Sequence, residues 1–155
     1  ISINQSKGSI NGNSRSNNGD VFPVIARKFN INISEPINGF RNISVIIPTD
    51  DITTDNWIRD IHMGMSIFNS DYENIDFTCK TNTPLEAGIY NLIGELKINN
   101  ISNPSSLQIE IYNKKNNLFI KGTSTLSLSK YKIEAPRMGT IKVLDDISVT
   151  FDLKL

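Results

Sequence analysis

The sequence has one cysteine, one histidine and no excess of either charge, and each shortage excludes a class of protein. With Cys79 as the only cysteine, no disulfide can form within the chain and no cysteine-based metal site can be built. With His62 as the only histidine, a multi-histidine zinc or iron site is excluded too. Sixteen basic residues balance sixteen acidic ones, so nothing indicates a nucleic-acid partner. We therefore expect no metal, no cofactor and no nucleic acid.

Alanine and long apolar runs are also scarce. The 155 residues include three alanines against 25 isoleucines, a balance that favours strands over a helical bundle. No apolar run reaches the length of a membrane span, and outward strand positions carry Lys, Asn, Glu and Asp, so we expect no embedding in a membrane. The length predicts a single domain over residues 1–155. The chain begins at Ile1 rather than Met, which is compatible with a removed signal peptide or with trimming.

Apolar and polar residues alternate from Pro23 to the end of the chain, as they do in half-buried strands. Gly94 and Gly122 interrupt two apolar faces in mid-strand, where a closed sheet must bend sharply. We therefore predict an all-β protein, an antiparallel barrel of about eight strands, with a sandwich as the alternative. Residues 8–19, "GSINGNSRSNNG", are small and polar, and we predict a flexible loop there. The apolar faces are Phe29, Ile31 and Ile33; Ile43, Val45 and Ile47; Ile75, Phe77 and Cys79; Tyr90, Leu92, Leu96 and Ile98; Leu107, Ile109 and Ile111; Leu118, Ile120, Leu126 and Leu128; Ile147, Val149, Phe151, Leu153 and Leu155.

Residues 55–63 change to a helical pattern. Thr54 can cap this helix, and Ile61 and Met65 lie on one apolar stripe with Trp57 one turn earlier. We expect the helix near the mouth of the barrel. Its large apolar side chains either plug one end of the barrel or line a cavity, and the sequence leaves both open.

Arg59, Asp60 and His62 form the one cluster that resembles an active site. A histidine beside a carboxylate is the minimal general base, but no nucleophile motif accompanies it. We expect no enzyme. The cluster either ties the helix to a neighbouring loop or contacts the polar end of a ligand.

Two further groups have simple structural interpretations. Cys79 stands on an apolar strand face, so we predict a buried, inert thiol rather than a reactive one. Asp145 and Asp146 precede the last strand without the spacing of a calcium loop, and we interpret them as turn charges.

Four segments in the same order resemble the YceI-like family. Residues 44–80, "SVIIPTDDITTDNWIRDIHMGMSIFNSDYENIDFTCK", are similar to its strand, helix and "Y-P-x-I-x-F" strand. "YNLIGELKINNISNPSSLQIEI" resembles its glycine-containing hairpin, "GTSTLSLSKYKIEAP" its "F-G-I-x-x-P" segment, and "VLDDISVTFDLKL" its closing strand. Asn100 and Lys132 stand where the family usually has glycine, and Met63 stands where it usually has leucine.

The resemblance implies a lipocalin-like antiparallel β-barrel with a helix near its mouth. Members of the family hold a long apolar molecule, typically a polyisoprenoid, in an internal channel, and no catalytic residues are carried over. They are generally periplasmic or secreted proteins of bacteria.

Our hypothesis is a protein that carries or stores a polyisoprenoid, an isoprenoid quinone or another lipid. The alternative is a structural or partner-binding barrel whose core is filled by side chains; interior volume discriminates the two. The sequence leaves a monomer and a homodimer open. The predicted ligand-binding residues are Phe29, Ile31, Val45, Phe77, Tyr90, Leu92, Ile109, Ile120, Leu126 and Phe151 in the wall, Trp57, Ile61 and Met65 above it, and Arg59, Asp60 and His62 at a polar head group.

Overall fold

The computed structural model describes residues 1–54, 73–135 and 137–155, where the β-strand is the dominant element. Three short 3-10 helices also occur there, at Gln5–Lys7, Thr49–Asp51 and Leu128–Tyr131. The strands are β1 (Ser2–Asn4), β2 (Gly8–Arg15), β3 (Val21–Ala26), β4 (Asn30–Ile33), β5 (Arg41–Pro48), β6 (Ile52–Thr53), β7 (Asn74–Thr81), β8 (Gly88–Ile98), β9 (Ile101–Lys114), β10 (Asn117–Ser127), β11 (Arg137–Met138), β12 (Ile141–Lys142) and β13 (Asp146–Lys154).

Eleven of these strands form one antiparallel sheet in the order β1-β4-β5-β7-β8-β9-β10-β13-β2-β3-β6. β1 and β2 follow each other in the chain, yet they lie far apart in this order. Ile3 of β1 stands opposite Ile31 of β4, whereas Ile10 of β2 stands opposite Phe151 of β13. The N-terminal segment thus bonds to two distant strands of the sheet, which curls into a barrel. The predicted all-β antiparallel class is confirmed.

Two details of the prediction are wrong. The count of about eight strands is too low, because β1, β6, β11 and β12 have only two or three residues, too few for a recognisable alternation. The loop predicted over residues 8–19 is largely strand β2, which pairs with β13 on one side and with β3 on the other. Its buried positions are Gly12 and Ser14, which have no apolar signature. The predicted helix at residues 55–63 lies outside the described residues.

Inward side chains of the strands pack into three apolar clusters around the barrel, as the alternation predicts. Cys79 is among them, so its predicted burial is confirmed. The buried members are Ile3, Phe29, Ile31, Ile33 and Leu153 in the first; Phe77, Cys79, Leu92, Ile109 and Ile111 in the second; Ile98, Leu128, Tyr131, Ile133 and Ile147 in the third.

Asparagine takes the left-handed backbone conformation in the tight turns. Asn99 and Asn100, with φ of 50° and 63°, connect β8 to β9. Lys132, just after the last 3-10 helix, has φ of 54°. Asparagine adopts this conformation more readily than most residues, which explains how Asn100 replaces a glycine without loss of the turn.

Candidate functional site

An apolar cavity of about 200 Å³ lies inside the barrel. Nine of the eleven strands of the sheet contribute to it, and none of the described residues that line it carries an ionisable side chain. The lining comprises Ile3, Ile10, Ile31, Ile33, Ile43, Val45, Ile47, Ile75, Phe77, Leu92, Leu96, Ile98, Ser105, Leu107, Ile109, Ile120, Ser124, Thr125, Leu126, Val149, Phe151 and Leu153.

A smaller cavity of about 120 Å³ adjoins the first. The two share Ile10, Ile47, Ile75, Ile98, Leu126 and Val149. The smaller one continues toward Leu128, Ile133 and Ile147, below the last 3-10 helix. The apolar interior of the barrel therefore consists of two adjoining spaces that have part of their walls in common.

Two phenylalanines of the lining lie flat against neighbouring strands. A Cβ built on Gly94 of β8 would be 2.6 Å from Cζ of Phe77, and one built on Gly122 of β10 would be 2.5 Å from Cζ of Phe151. Each ring therefore occupies the place of the missing glycine side chain.

The structure brings together eight of the ten predicted wall residues: Ile31, Val45, Phe77, Leu92, Ile109, Ile120, Leu126 and Phe151. Phe29 instead packs within the wall, next to Ile3, where only 1% of its surface is exposed. Tyr90 is half-buried, and its hydroxyl donates to the carbonyl of Glu86 at 3.0 Å. Contact of these residues with a ligand stays a prediction. The other predicted residues, Trp57, Arg59, Asp60, Ile61, His62 and Met65, lie outside the described residues.

Several lining residues were missed by the sequence analysis. Ile3 and Ile10 belong to the N-terminal segment, where the alternation is not readable and the sequence predicts a flexible loop over residues 8–19. Ser105 and Ser124 face inward with the apolar residues, but small polar side chains give no signal in a search for apolar alternation. Leu107 and Val149 lie on apolar faces that the alternation predicts, so their place in the cavity lining could have been inferred from the sequence alone.

Two ionisable groups outside the cavity lining, Cys79 and Asp145, have structural surroundings. The Cys79 thiol donates weakly to the carbonyl of Ile93 at 3.4 Å, and burial raises its pKa, so the thiolate is disfavoured. Asp145 accepts bonds from the Ser127 and Ser129 hydroxyls and from the Ser129 amide at 2.6–3.0 Å. These bonds, the one from Ser127 first, lower the pKa of the Asp145 carboxyl. Asp145 thus anchors the turn around the last 3-10 helix.

The family model of the YceI-like domain matches residues 3–155 of this chain. Three solved structures share the fold. BcnA from Burkholderia cenocepacia is 12% identical, with a TM-score of 0.80 over 99% of both chains, and a polyisoprenoid binding domain from Saccharophagus degradans is 12% identical, with a TM-score of 0.79 over 99% of this chain and 96% of the other. A YCEI protein from Campylobacter jejuni is 20% identical, with a TM-score of 0.64 over 85% of this chain and 82% of the other. No curated protein sequence matches the chain.

The family model covers nearly the whole chain, so the protein belongs to the YceI-like domain family. Its fold is the lipocalin-like barrel of that family, as the four sequence segments predict. In the part of the chain that the structure describes, no helix is both long enough and apolar enough to cross a membrane.

Proposed function

We propose that the protein binds a long apolar molecule, a polyisoprenoid, an isoprenoid quinone or another lipid, inside its barrel and carries or stores it without catalysis. The observation that carries this proposal is the apolar cavity of about 200 Å³. Engineered cavities of about 150 Å³ with similar walls stay dry and take up apolar molecules. With the adjoining cavity, the space approaches the lower end of the roughly 300–1,000 Å³ range of ligand pockets.

Burial of the ligand would supply the binding energy. Each methylene that leaves water for this cavity contributes about 0.8 kcal/mol. The solved domain from Saccharophagus degradans with the same fold is described as polyisoprenoid binding, which supports the ligand class. The cavity also argues against the alternative of a barrel filled by its own side chains.

Displacement of a fluorescent fatty-acid analogue by the C20 alcohol geranylgeraniol tests this function. Ile120→Trp places a bulky ring at a half-buried position of the cavity lining, and we expect it to weaken binding at least tenfold. Ile89→Trp is the matched control, since Ile89 points outward and is 69% exposed. Equal affinities of the two variants, or no binding by the unaltered protein, would contradict the proposal.

Two predictions from the resemblance remain to be tested directly. A His62→Ala variant that keeps lipid binding and its function in cells would support a protein that is not an enzyme. Cell fractionation would test the expected periplasmic or secreted location.

A further inference from the structure

The barrel wall is split between β9 and β10. These strands pair from Asn117↔Lys114 to Thr123↔Gln108 and no further, although β9 reaches back to Ile101 and β10 forward to Ser127. Each strand keeps its other neighbour along the split, because Ile101 still pairs with β8 and Ser127 with β13. We call the gap between residues 101–107 and 124–127 the seam. It interrupts the sheet itself and is not a frayed end of the strands.

Side chains bridge the seam where the strand ladder stops. The Ser124 hydroxyl donates to the carbonyl of Ser106 at 2.9 Å. At the far end, the Asn103 amide donates to the carbonyl of Lys130 at 2.8 Å, and the Tyr131 hydroxyl donates to the carbonyl of Leu96 at 3.0 Å. The last 3-10 helix therefore closes the seam at this end, and the paired part of β9 and β10 closes it at the other end. The opening between them has fixed borders.

A cleft of about 800 Å³ lies over the seam and shares part of its lining with the internal cavity. Ser105 and Ser124 border both spaces, so only single side chains separate the apolar interior from the cleft at the side of the barrel. The residues common to the cleft and the cavity are Leu96, Ser105, Leu107, Ser124, Thr125, Leu126 and Val149.

Hydroxyl and amide groups dominate the polar part of this cleft. Lys130 and Asp146 are its charged members among the described residues, and their charges cancel. Phosphate groups are usually held by arginines or several converging cations, which this lining does not offer. Hydroxyls and amides both donate and accept, so they match an alcohol, carbonyl or amide. The polar lining is Ser105, Ser106, Thr123, Ser124, Thr125, Ser127, Ser148 and Thr150, with Asn91 and Gln108.

We infer that the seam is a side site that holds the uncharged polar head group of an amphiphile whose apolar chain lies in the cavity. This inference rests on the proposed function. It adds where the head group sits, which residues bind it, and which head-group chemistry the protein prefers.

Three probes with the same saturated C20 chain separate the head group from the chain: phytanol, phytanyl phosphate and the hydrocarbon phytane. We expect the alcohol to bind about tenfold more tightly than the hydrocarbon, the gain of about one net hydrogen bond, and more tightly than the phosphate. Equal affinities for alcohol and hydrocarbon, or tighter binding of the phosphate, would overturn the inference while leaving the proposed function intact. Failure of all three to bind would overturn both.

The double variant Ser105→Ala and Thr125→Val locates the head group. Ser124 is kept, because its hydroxyl bridges the seam. We expect the variant to bind the alcohol no better than the hydrocarbon. Thr78→Val is the matched control, since Thr78 is an exposed strand residue on β7. Full retention of the alcohol preference by the double variant would overturn the assignment.

A measurement on the unaltered protein avoids any folding defect of the variants. A geranylgeraniol analogue with a diazirine beside its hydroxyl would be photocrosslinked and the modified peptides sequenced. We expect the label on residues 103–108 and 123–127. Labelling confined to other parts of the barrel would overturn the side site, even if the protein binds the probe tightly.

Discussion

The ring of Phe151 lies where a side chain of Gly122 would be. A Cβ at residue 122 would meet Cζ of Phe151 at 2.5 Å and the carbonyl oxygen of Gln108 at 2.7 Å, both far inside van der Waals contact. Gly122 also stands one residue before the last β9–β10 pair, Thr123↔Gln108. The absence of a side chain on Gly122 thus allows the Phe151 ring and the Gln108 carbonyl to approach β10 closely, at the point where β9 and β10 begin to separate.

Replacement of Gly122 by alanine should destabilise the barrel. The added methyl would displace both an aromatic ring and a backbone carbonyl, so we expect a loss of about 2–3 kcal/mol in the free energy of unfolding, measured by urea denaturation. Gly12→Ala on β2 is the control, because its nearest neighbour would be a methyl of Ile147 at 3.2 Å. We expect this control to lose less than about 1 kcal/mol. Similar losses in the two variants would contradict the close-approach role of Gly122.

Phe151→Leu in the Gly122→Ala background tests the pair itself. A smaller side chain at residue 151 relieves the contact with the ring but not the one with the Gln108 carbonyl. We therefore expect partial recovery of stability, visible as a negative coupling energy in a double-mutant cycle. Strict additivity of the two single variants would show that the ring and the glycine are independent.

Asp145 should make folding weakly pH-dependent in acid. Its pKa is lowered in the folded protein, so its contribution is present above its ordinary value of 3.8 and is lost as the pH falls through the folded value. We expect Asp145→Ala to cost about 1 kcal/mol at pH 6, as loss of a capping carboxylate does, and clearly less at pH 2. The measurement is urea denaturation at both pH values. Asp146→Ala is the neighbouring control, and a difference that persists unchanged at pH 2 would contradict the assignment.

The β8–β9 turn should depend on Asn100. Because its φ is 63°, a residue that tolerates the left-handed region is required there. Asn100→Ala should lower the free energy of unfolding by about 1 kcal/mol, whereas Asn100→Gly should change it by less than about 0.5 kcal/mol. Thermal and urea unfolding of the two variants would check this. Equal stability of both would indicate that the turn adopts another backbone conformation.

The thiol of Cys79 should react slowly with a thiol reagent in the folded state. Only 6% of the residue is exposed, and burial raises its pKa, so little thiolate is available at pH 8. We expect labelling to be at least a hundredfold slower than in urea-unfolded protein. Rapid labelling without urea would show that β7 and β8 open readily beside this residue.

Sequence alone could predict most strands of this barrel, because a buried face at every second residue leaves a direct record in the chain. The faces of Ile43–Ile47 and Ile147–Leu155 are examples. β2 was not predicted because hydrogen bonds to strands on both sides define it, while its buried positions are Gly12 and Ser14. Backbone pairing does not depend on side-chain polarity, so composition could not reveal it.

The candidate site could be predicted in part. Alternation identified the face that carries Ile109 and Phe151, but it cannot tell a side chain that lines a cavity from one that fills the wall, as Phe29 does. The seam had no sequence signal. It depends on where β9 and β10 stop pairing, and residue patterns specify the face of a strand far better than the extent of its ladder.

Native mass spectrometry of the protein after incubation with geranylgeraniol tests the central claim most directly. The account predicts one added molecule per chain in the unaltered protein and in Ile89→Trp, and its loss in Ile120→Trp. An unchanged apo mass for the unaltered protein, or equal retention by all three proteins, would contradict a ligand-binding cavity in this barrel.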